Sequence, residues 1–266
     1  MKLSIQSPNG RLAANLDLPE NRPSQAPTVI ACHGFGGAKE SGKILLLSQR
    51  LANAGIATLR FDFSGHGEPP HNSEGDIDTF TISRGVNDLK AVIDFAIEHS
   101  DIDQQNIGFY GTSIGANVLL WALADHFSNL DREISIKSMT LLAPLADLVG
   151  AVIRNEGENA LKHWQQQGFI EEKFDERVVR WHYDAIVDAQ SKDTYQLAKN
   201  IKTPTLLIHG SEDQSVPVEQ SQKLIAAMGQ HAVLNILDGV GHRFATEVEK
   251  TQAIELAVAY HLSQIL

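Results

Sequence analysis

The sequence predicts an α/β fold: a mostly parallel central sheet with helices on both faces and a helical cap inserted late in the chain. Three observations lead there. Apolar runs of strand length stand at 28–32, 56–61, 106–110, 138–142 and 205–209. They lack the polar alternation of half-solvated strands, as expected of strands buried on both faces. Segments of helical period separate them through short loops, the alternation that yields parallel strands and crossover helices. Between 145 and 199 the rhythm fails, and no strand-like run interrupts the chain.

Each element follows from local chemistry. Residues 3–6 and 12–18 flank Ser7-Pro8-Asn9-Gly10, a hairpin turn, so the chain opens with an antiparallel pair. A proline-punctuated loop covers 19–27 and leads into the strand at 28–32. Residues 43–54 form a helix closed by Gly55, and the strand at 56–61 ends at Asp62. An amphipathic helix spans 81–99, and a buried one follows the strand at 106–110. After the strand at 138–142 come the irregular stretch, the strand at 205–209, a helix over 218–228, a strand over 232–237 and a closing helix over 246–262. Loops of sixty residues are rare in compact domains, so 145–199 is expected to be a helical insertion lying over the site. It holds Trp164, Phe169, Phe174, Trp181, Tyr183 and Tyr195. A flap packed to one side is the alternative. The whole, 1–266, reads as a single domain carrying that cap.

Composition narrows the function. With 42% hydrophobic residues in 266, a sizeable core is readily built. The 33 Asp and Glu outnumber the 22 Lys and Arg, for a net charge of −11. Such a surface repels phosphate backbones and anionic lipid, so neither nucleic acid nor membrane is expected as a partner. The single cysteine, Cys32, rules out a disulfide framework within the chain. The first residues lack a hydrophobic signal core, and a cytoplasmic setting is the expectation. There is no internal repeat or low-complexity segment. A homodimer is left open.

The chemistry-bearing residues cluster around Gly111-Thr112-Ser113-Ile114-Gly115. This pentapeptide sits between a strand and a helix, where a serine thrust out on a tight turn crowds the neighbouring backbone and only glycine fits two residues either side. The Ile114 amide, opening a helix, would face a developing oxyanion. A glycine-bounded turn with a capping serine has the same appearance. A serine nucleophile needs a base, and a histidine base needs an orienting carboxylate. His242, in a glycine-rich loop between the last strand and last helix, is the candidate base. His209 ends a strand and reads as structural. His99, His126, His163, His231 and His261 fall on helices or their ends, where solvated or capping roles are expected. Asp213 is the candidate acid, with Glu212 the rival expected to face solvent. His33-Gly34-Phe35-Gly36-Gly37 offers the Phe35 amide as a second oxyanion donor. The spacing from Gly37 to Gly42-Lys43 matches a phosphate loop, but Ile44 stands where magnesium binding needs Ser or Thr. His66 and His71 lack clustered partners for a metal, and His66 reads as a loop residue. No cofactor is implied.

Taken together these motifs resemble the α/β-hydrolases of the serine esterase group, and most closely bacterial cinnamoyl/feruloyl esterases. The resemblance rests on the His33 to Gly37 loop, Asp62-Phe63-Ser64-Gly65-His66-Gly67, the serine pentapeptide, Leu141-Leu142-Ala143-Pro144, His209-Gly210-Ser211-Glu212-Asp213 with Val216-Pro217, and Gly241-His242. The order Ser113, Asp213, His242 is the α/β-hydrolase order. The elbow carries Thr112 and Ile114 where those esterases usually have His and Gln. The resemblance implies a Ser113/His242/Asp213 triad, an oxyanion hole of the Phe35 and Ile114 amides, and a small-molecule ester as substrate. It also implies a cap that shapes the acyl site, with Trp164, Trp181 and Tyr183 as candidate substrate contacts. A thioesterase or peptidase-like acyl hydrolase on the same residues, or a ligand receptor on the same scaffold, are the alternatives.

Overall fold

Strands β1 (Lys2–Ser7) and β2 (Gly10–Asp17) pair antiparallel around the Pro8-Asn9 turn, in the register that brings Ser7 opposite Gly10. The computed structural model describes residues 1–21, 24–126, 134–174 and 177–266, and the statements below concern these. The chain then alternates β3 (Ala26–Cys32), α1 (Gly42–Asn53), β4 (Ala57–Phe61), α2 (Ile82–Glu98), β5 (Ile102–Thr112), α3 (Ile114–His126) and β6 (Ile136–Leu142). After the irregular stretch come β9 (Thr205–Gly210), α8 (Val218–Met228), β10 (Ala232–Leu237) and α9 (Glu247–Ile265). The eight-stranded sheet has the order β1-β2-β4-β3-β5-β6-β9-β10. From β4 to β10 every pairing is parallel. This is the α/β-hydrolase fold.

The apolar runs are continuous because both faces of each strand are covered. On β3, Val29 and Ala31 join one buried cluster, with Leu47 and Leu51 of α1 and Ile254 and Ala257 of α9. Ile30 and Cys32 point the other way, into a cluster with Leu89 of α2 and Leu119 of α3. The two-residue alternation of a strand places neighbours in different cores. From Ile114 to Leu123 helix α3 is buried on every side, including Val118, Leu120 and Trp121, and is apolar but for Asn117. Helix starts follow their caps: Thr81 accepts from the Arg84 amide, and Thr246 with Glu249 forms a capping box.

The segment between β6 and β9 is not wholly helical, contrary to the expectation. It runs α4 (Leu148–Glu156), α5 (Glu158–Gln167), β7 (Phe169–Phe174), β8 (Arg177–His182), α6 (Asp184–Gln190) and α7 (Thr194–Ala198). β7 and β8 form an antiparallel ribbon apart from the main sheet. Its strands alternate, with Val179 and Trp181 buried and Val178 and Arg180 exposed, so an apolar-run criterion passes over them. The segment is tied down at its base. The Gln220 amide exchanges two hydrogen bonds with the Asp147 backbone, and Trp121 Nε1–H donates to Thr194 Oγ1, which donates to Asn117 Oδ1.

His261 is a second correction. It is fully buried, because the inner face of α9 packs on β6. Its ring nitrogens meet Ser138 Oγ at 2.6 Å and Thr140 Oγ1 at 3.0 Å. Among the described residues no helix is long and apolar enough to cross a membrane.

Burial without a charged partner pushes His261 down to about 3. Burial likewise lowers His33, and burial with the nearby His33 charge lowers His66. An unfolded chain protonates these imidazoles below about pH 6.5. The folded chain keeps His261 neutral to about 3, so in that window the unfolded state binds more protons and stability falls as pH falls. Urea unfolding from pH 7 to pH 4 should show this decline, with each such imidazole contributing up to about 1.4 kcal/mol per pH unit. His261→Asn should flatten the decline by one imidazole's share, and an unchanged slope would remove His261 from the account.

Candidate active site

Ser113 occupies the turn between β5 and α3 with φ 54°, a left-handed backbone that a serine adopts only under constraint. Four backbone hydrogen bonds surround that strained peptide. The Ser113 N–H donates to the Leu142 carbonyl, and the Ser113 carbonyl accepts from the Ala116 and Leu145 amides at 3.1 and 3.2 Å. The Ala143 N–H, in the next strand end, donates to Ile208. A Cβ on Gly115 would stand 2.3 Å from the His33 carbonyl oxygen, and one on Gly111 would stand 2.8 Å from Ala116 Cα. Gly115 therefore lets the turn close against the His33 to Gly37 loop, and Gly111 lets α3 close against the end of β5.

The Ser113 hydroxyl faces His242 Nε2 at 3.1 Å, and His242 Nδ1 faces Asp213 Oδ2 at 2.7 Å. The Asp213 side chain is wholly buried, while that of His242 keeps 20% of its surface exposed. Asp213 Oδ1 accepts from the Ser215 and Val216 amides. Burial alone would raise this carboxyl, but hydrogen bonds from His209 and His242, the His242 charge and the Val216 amide outweigh it. The carboxyl is held well below the usual carboxylate range. Glu212 is exposed.

His209 is a residue whose part in the site the sequence does not declare. Its Nε2 lies 3.2 Å from Asp213 Oδ2 and 2.9 Å from the Val216 carbonyl. Both partners are acceptors, so Nε2 carries a proton, and Nδ1 meets the Ser221 hydroxyl at 2.7 Å. Asp213 thus receives two imidazoles on one oxygen. The strand-end position that made His209 look structural also aims it at the acid four residues on.

The loop facing Ser113 is anchored from behind. His33 Nδ1–H donates to the Gly34 carbonyl, and its Nε2 accepts from the Phe63 amide. Asp62 accepts from the Lys39 amide and ammonium at 2.6 and 2.7 Å, a buried ion pair. Gly34 approaches so closely that a Cβ there would lie 3.2 Å from Ser113 Cβ. Among the described residues the Phe35 N–H has no backbone acceptor. The Ile114 N–H opens α3, where no intrahelical acceptor exists. The Phe35 ring stacks on Trp181 at 4.1 Å and meets Phe174 edge-on at 5.5 Å, so β7 and β8 rest on this loop.

Between these parts lies a cavity of about 470 Å³. Ser113 and His242 open into it, with an apolar wall of Leu145, Leu148, Val152, Ile170 and Trp181. Of the three cap aromatics singled out in the sequence, only Trp181 is among the lining residues. Trp164 lies behind it as the core of the insertion, 1% exposed, and donates Nε1–H to the Trp181 carbonyl. Tyr183 ends the ribbon, its amide bonded to the Gly168 carbonyl and its ring edge-on to Trp164. His66 is buried, packed against Phe35 and Phe80. Among the described residues no cluster of three or more His, Cys, Asp or Glu side chains could hold a metal.

Comparison with known proteins places this geometry. The model of the BD-FAE family matches residues 15–228. An uncharacterized 31.7 kDa protein of the traX-finO intergenic region of Escherichia coli is 29% identical over 162 residues, 60% of this chain and 52% of the relative. The match thus spans about half the length of that relative. The mitochondrial palmitoyl-protein thioesterase ABHD10 of Bos taurus is 24% identical over 196 residues, 73% of this chain and 59% of the relative. Among solved structures, Est1E from Butyrivibrio proteoclasticus with ferulic acid bound superposes with a TM-score of 0.81 at 25% identity, covering 99% of each chain.

The hydrogen bonds around His209 generate a stability contrast. His209→Leu should leave the buried Ser221 hydroxyl and the Val216 carbonyl unpaired and lower stability by about 1–3 kcal/mol. Glu212→Gln, at an exposed position, should stay within about 0.5 kcal/mol of the parent. Urea midpoints check both, and equal effects would refute the buried arrangement.

Proposed function

Because the chain belongs to the BD-FAE family, we propose that it is a serine hydrolase that cleaves carboxylic esters through an acyl-enzyme. The observation that carries this reading is the unbroken chain from Ser113 Oγ to His242 at 3.1 Å and on to Asp213 at 2.7 Å, opening into a cavity. In this reading Ser113 attacks the ester carbonyl while His242 takes its proton. Asp213 holds the imidazole in the tautomer with Nδ1 protonated. The Phe35 and Ile114 amides hold the oxyanion of the tetrahedral intermediate. His242 then protonates the leaving alcohol, and water, activated by the same base, releases the acid and restores Ser113.

The acyl half sits against the apolar wall of the insertion, with Trp181 as its aromatic contact and Trp164 and Tyr183 acting from behind it. Likeness to Est1E with ferulic acid supports aryl esters of the feruloyl or cinnamoyl type. Likeness to a palmitoyl-protein thioesterase supports thioesters as the second reading, since the same three residues serve both. A receptor that binds without turnover would give no burst with p-nitrophenyl acetate.

Ser113→Ala should lower kcat by roughly 10⁴-fold or more with the fold intact, since the nucleophile is lost. Stoichiometric phosphonylation at a residue other than Ser113 would sink the assignment. Asp213→Asn should reduce kcat by roughly 10³- to 10⁴-fold through the wrong imidazole tautomer, and Glu212→Gln should leave it nearly unchanged.

The insertion should govern preference more than rate. Trp181→Ala should reorder a panel of acetyl, butyryl and cinnamoyl esters, because a pocket wall discriminates by about 1–3 kcal/mol. Parallel loss on every ester would mean destabilisation alone.

A further inference from the structure

Two cations share the cavity with Ser113 and take no part in the chemistry just described. Lys43, at the start of α1, and Arg243, directly after His242, both line it. The Lys43 ammonium donates to the Arg243 carbonyl at 3.1 Å and lies 5.5 Å from the centre of the Phe244 ring. Among the described residues neither side chain has a carboxylate within 4.0 Å, in a chain whose net charge is −11. Lys250, the next cation, is already matched by Glu247 at 2.6 Å. Asp213 lies nearby but is committed to two imidazoles and two amides. Burial, with the charges of Lys250 and Arg243, brings Lys43 down to about 8.

The insertion contributes the other sign to the same cavity. Glu156 and Glu172 line the cavity from the insertion, and burial with the Glu156 charge raises Glu172 against the pull of Arg243. The lining therefore carries cations from α1 and the His242 loop and carboxylates from the insertion.

The order of proton transfers settles which half of an ester meets which wall. The leaving oxygen takes its proton from His242 Nε2, so the alcohol half must lie along the His242 loop. The acyl half then turns toward Leu145, Leu148 and Trp181. We propose that the esters this site takes carry a carboxylate on their alcohol half, held by Arg243 and Lys43. This rests on the serine-esterase reading and narrows its substrate class. The guanidinium offers a fork of donors to a carboxylate and the ammonium adds a point charge. The departing alcohol leaves with its carboxylate ionised and a proton from His242 on its oxygen, and water cleaves the acyl-serine as before.

The test compares 4-acetoxybenzoate with neutral 4-acetoxybenzamide, which share the acetyl group and differ in charge on the alcohol half. The measure is the ratio of their kcat/KM values, so a general loss of activity cancels. Arg243→Gln, at an exposed side chain, should lower that ratio roughly tenfold, as expected for a lost charge-assisted hydrogen bond. Lys43→Met should lower it in the same direction, and sodium chloride should erode it in the parent protein. A ratio that is equal in parent and both variants would overturn the proposal. So would a dependence on Arg243 and Lys43 appearing with aryl hemisuccinates, whose carboxylate lies on the acyl half, in place of 4-acetoxybenzoate. Absence of turnover on every ester, with Ser113 refractory to phosphonylation, would instead overturn the esterase reading on which the proposal stands.

Discussion

A serine at φ 54° sits in a backbone region that costs about 1–3 kcal/mol for a residue with a side chain. The conformation persists because the surroundings leave it no alternative. The Leu142 carbonyl holds the Ser113 amide, the Ala116 and Leu145 amides hold its carbonyl, and the His33 carbonyl fills the space beside Gly115. Three parallel strands, β3, β5 and β6, must end at the same level for those groups to meet. The register supplies this, with Cys32 opposite Gly111 and Thr112 opposite Leu142. The elbow thus fixes where the loop after β3 lies, and that loop fixes Phe35.

Buried histidines do much of the fixing. His33 ties the loop after β3 to the end of β4 through the Phe63 amide, and His209 ties the acid loop to α8 through Ser221. Each uses both ring nitrogens, and each joins loops at the carboxyl ends of strands. An imidazole suits this work because it offers a donor and an acceptor on opposite sides of one rigid ring. At His33 this makes the arrangement sensitive to acid, since protonation would turn the nitrogen that accepts from the Phe63 amide into a second donor facing a donor.

What could be read from the sequence depended on how local the signal was. The strand runs, the helices starting at Thr81 and Thr246 and the glycines flanking Ser113 are set by neighbouring residues, and each appears near its expected place. The partners of His242 were legible because β9 and β10 end in loops whose acid and base have few rivals. The ribbon of β7 and β8 was not, since charged residues such as Glu171, Lys173 and Arg180 alternate with its inward side chains and leave no apolar run. His261 was not either. A helix position says nothing of the strand hydroxyls, Ser138 and Thr140, that lie more than a hundred residues away in sequence. The difference between Trp181, which reaches the cavity, and Trp164, which supports it, depends on which face of the ribbon meets Phe35, and that is a tertiary fact.

The contact between Phe35 and Trp181 links the two halves of the molecule. Phe35 belongs to the loop that faces Ser113, and Trp181 to the ribbon that walls the cavity. Rings stacked at 4.1 Å move together or separate, and separating them exposes two large apolar faces. Trp181 is also pinned by its Nε1–H to the Phe80 carbonyl, and backed by Trp164. The ribbon is therefore seated by its inner face, while its outer face carries Val178 and Arg180 in solvent. In the reaction proposed above, the wall that an acyl group meets at Trp181 is thus braced, ring on ring, by the loop beside Ser113.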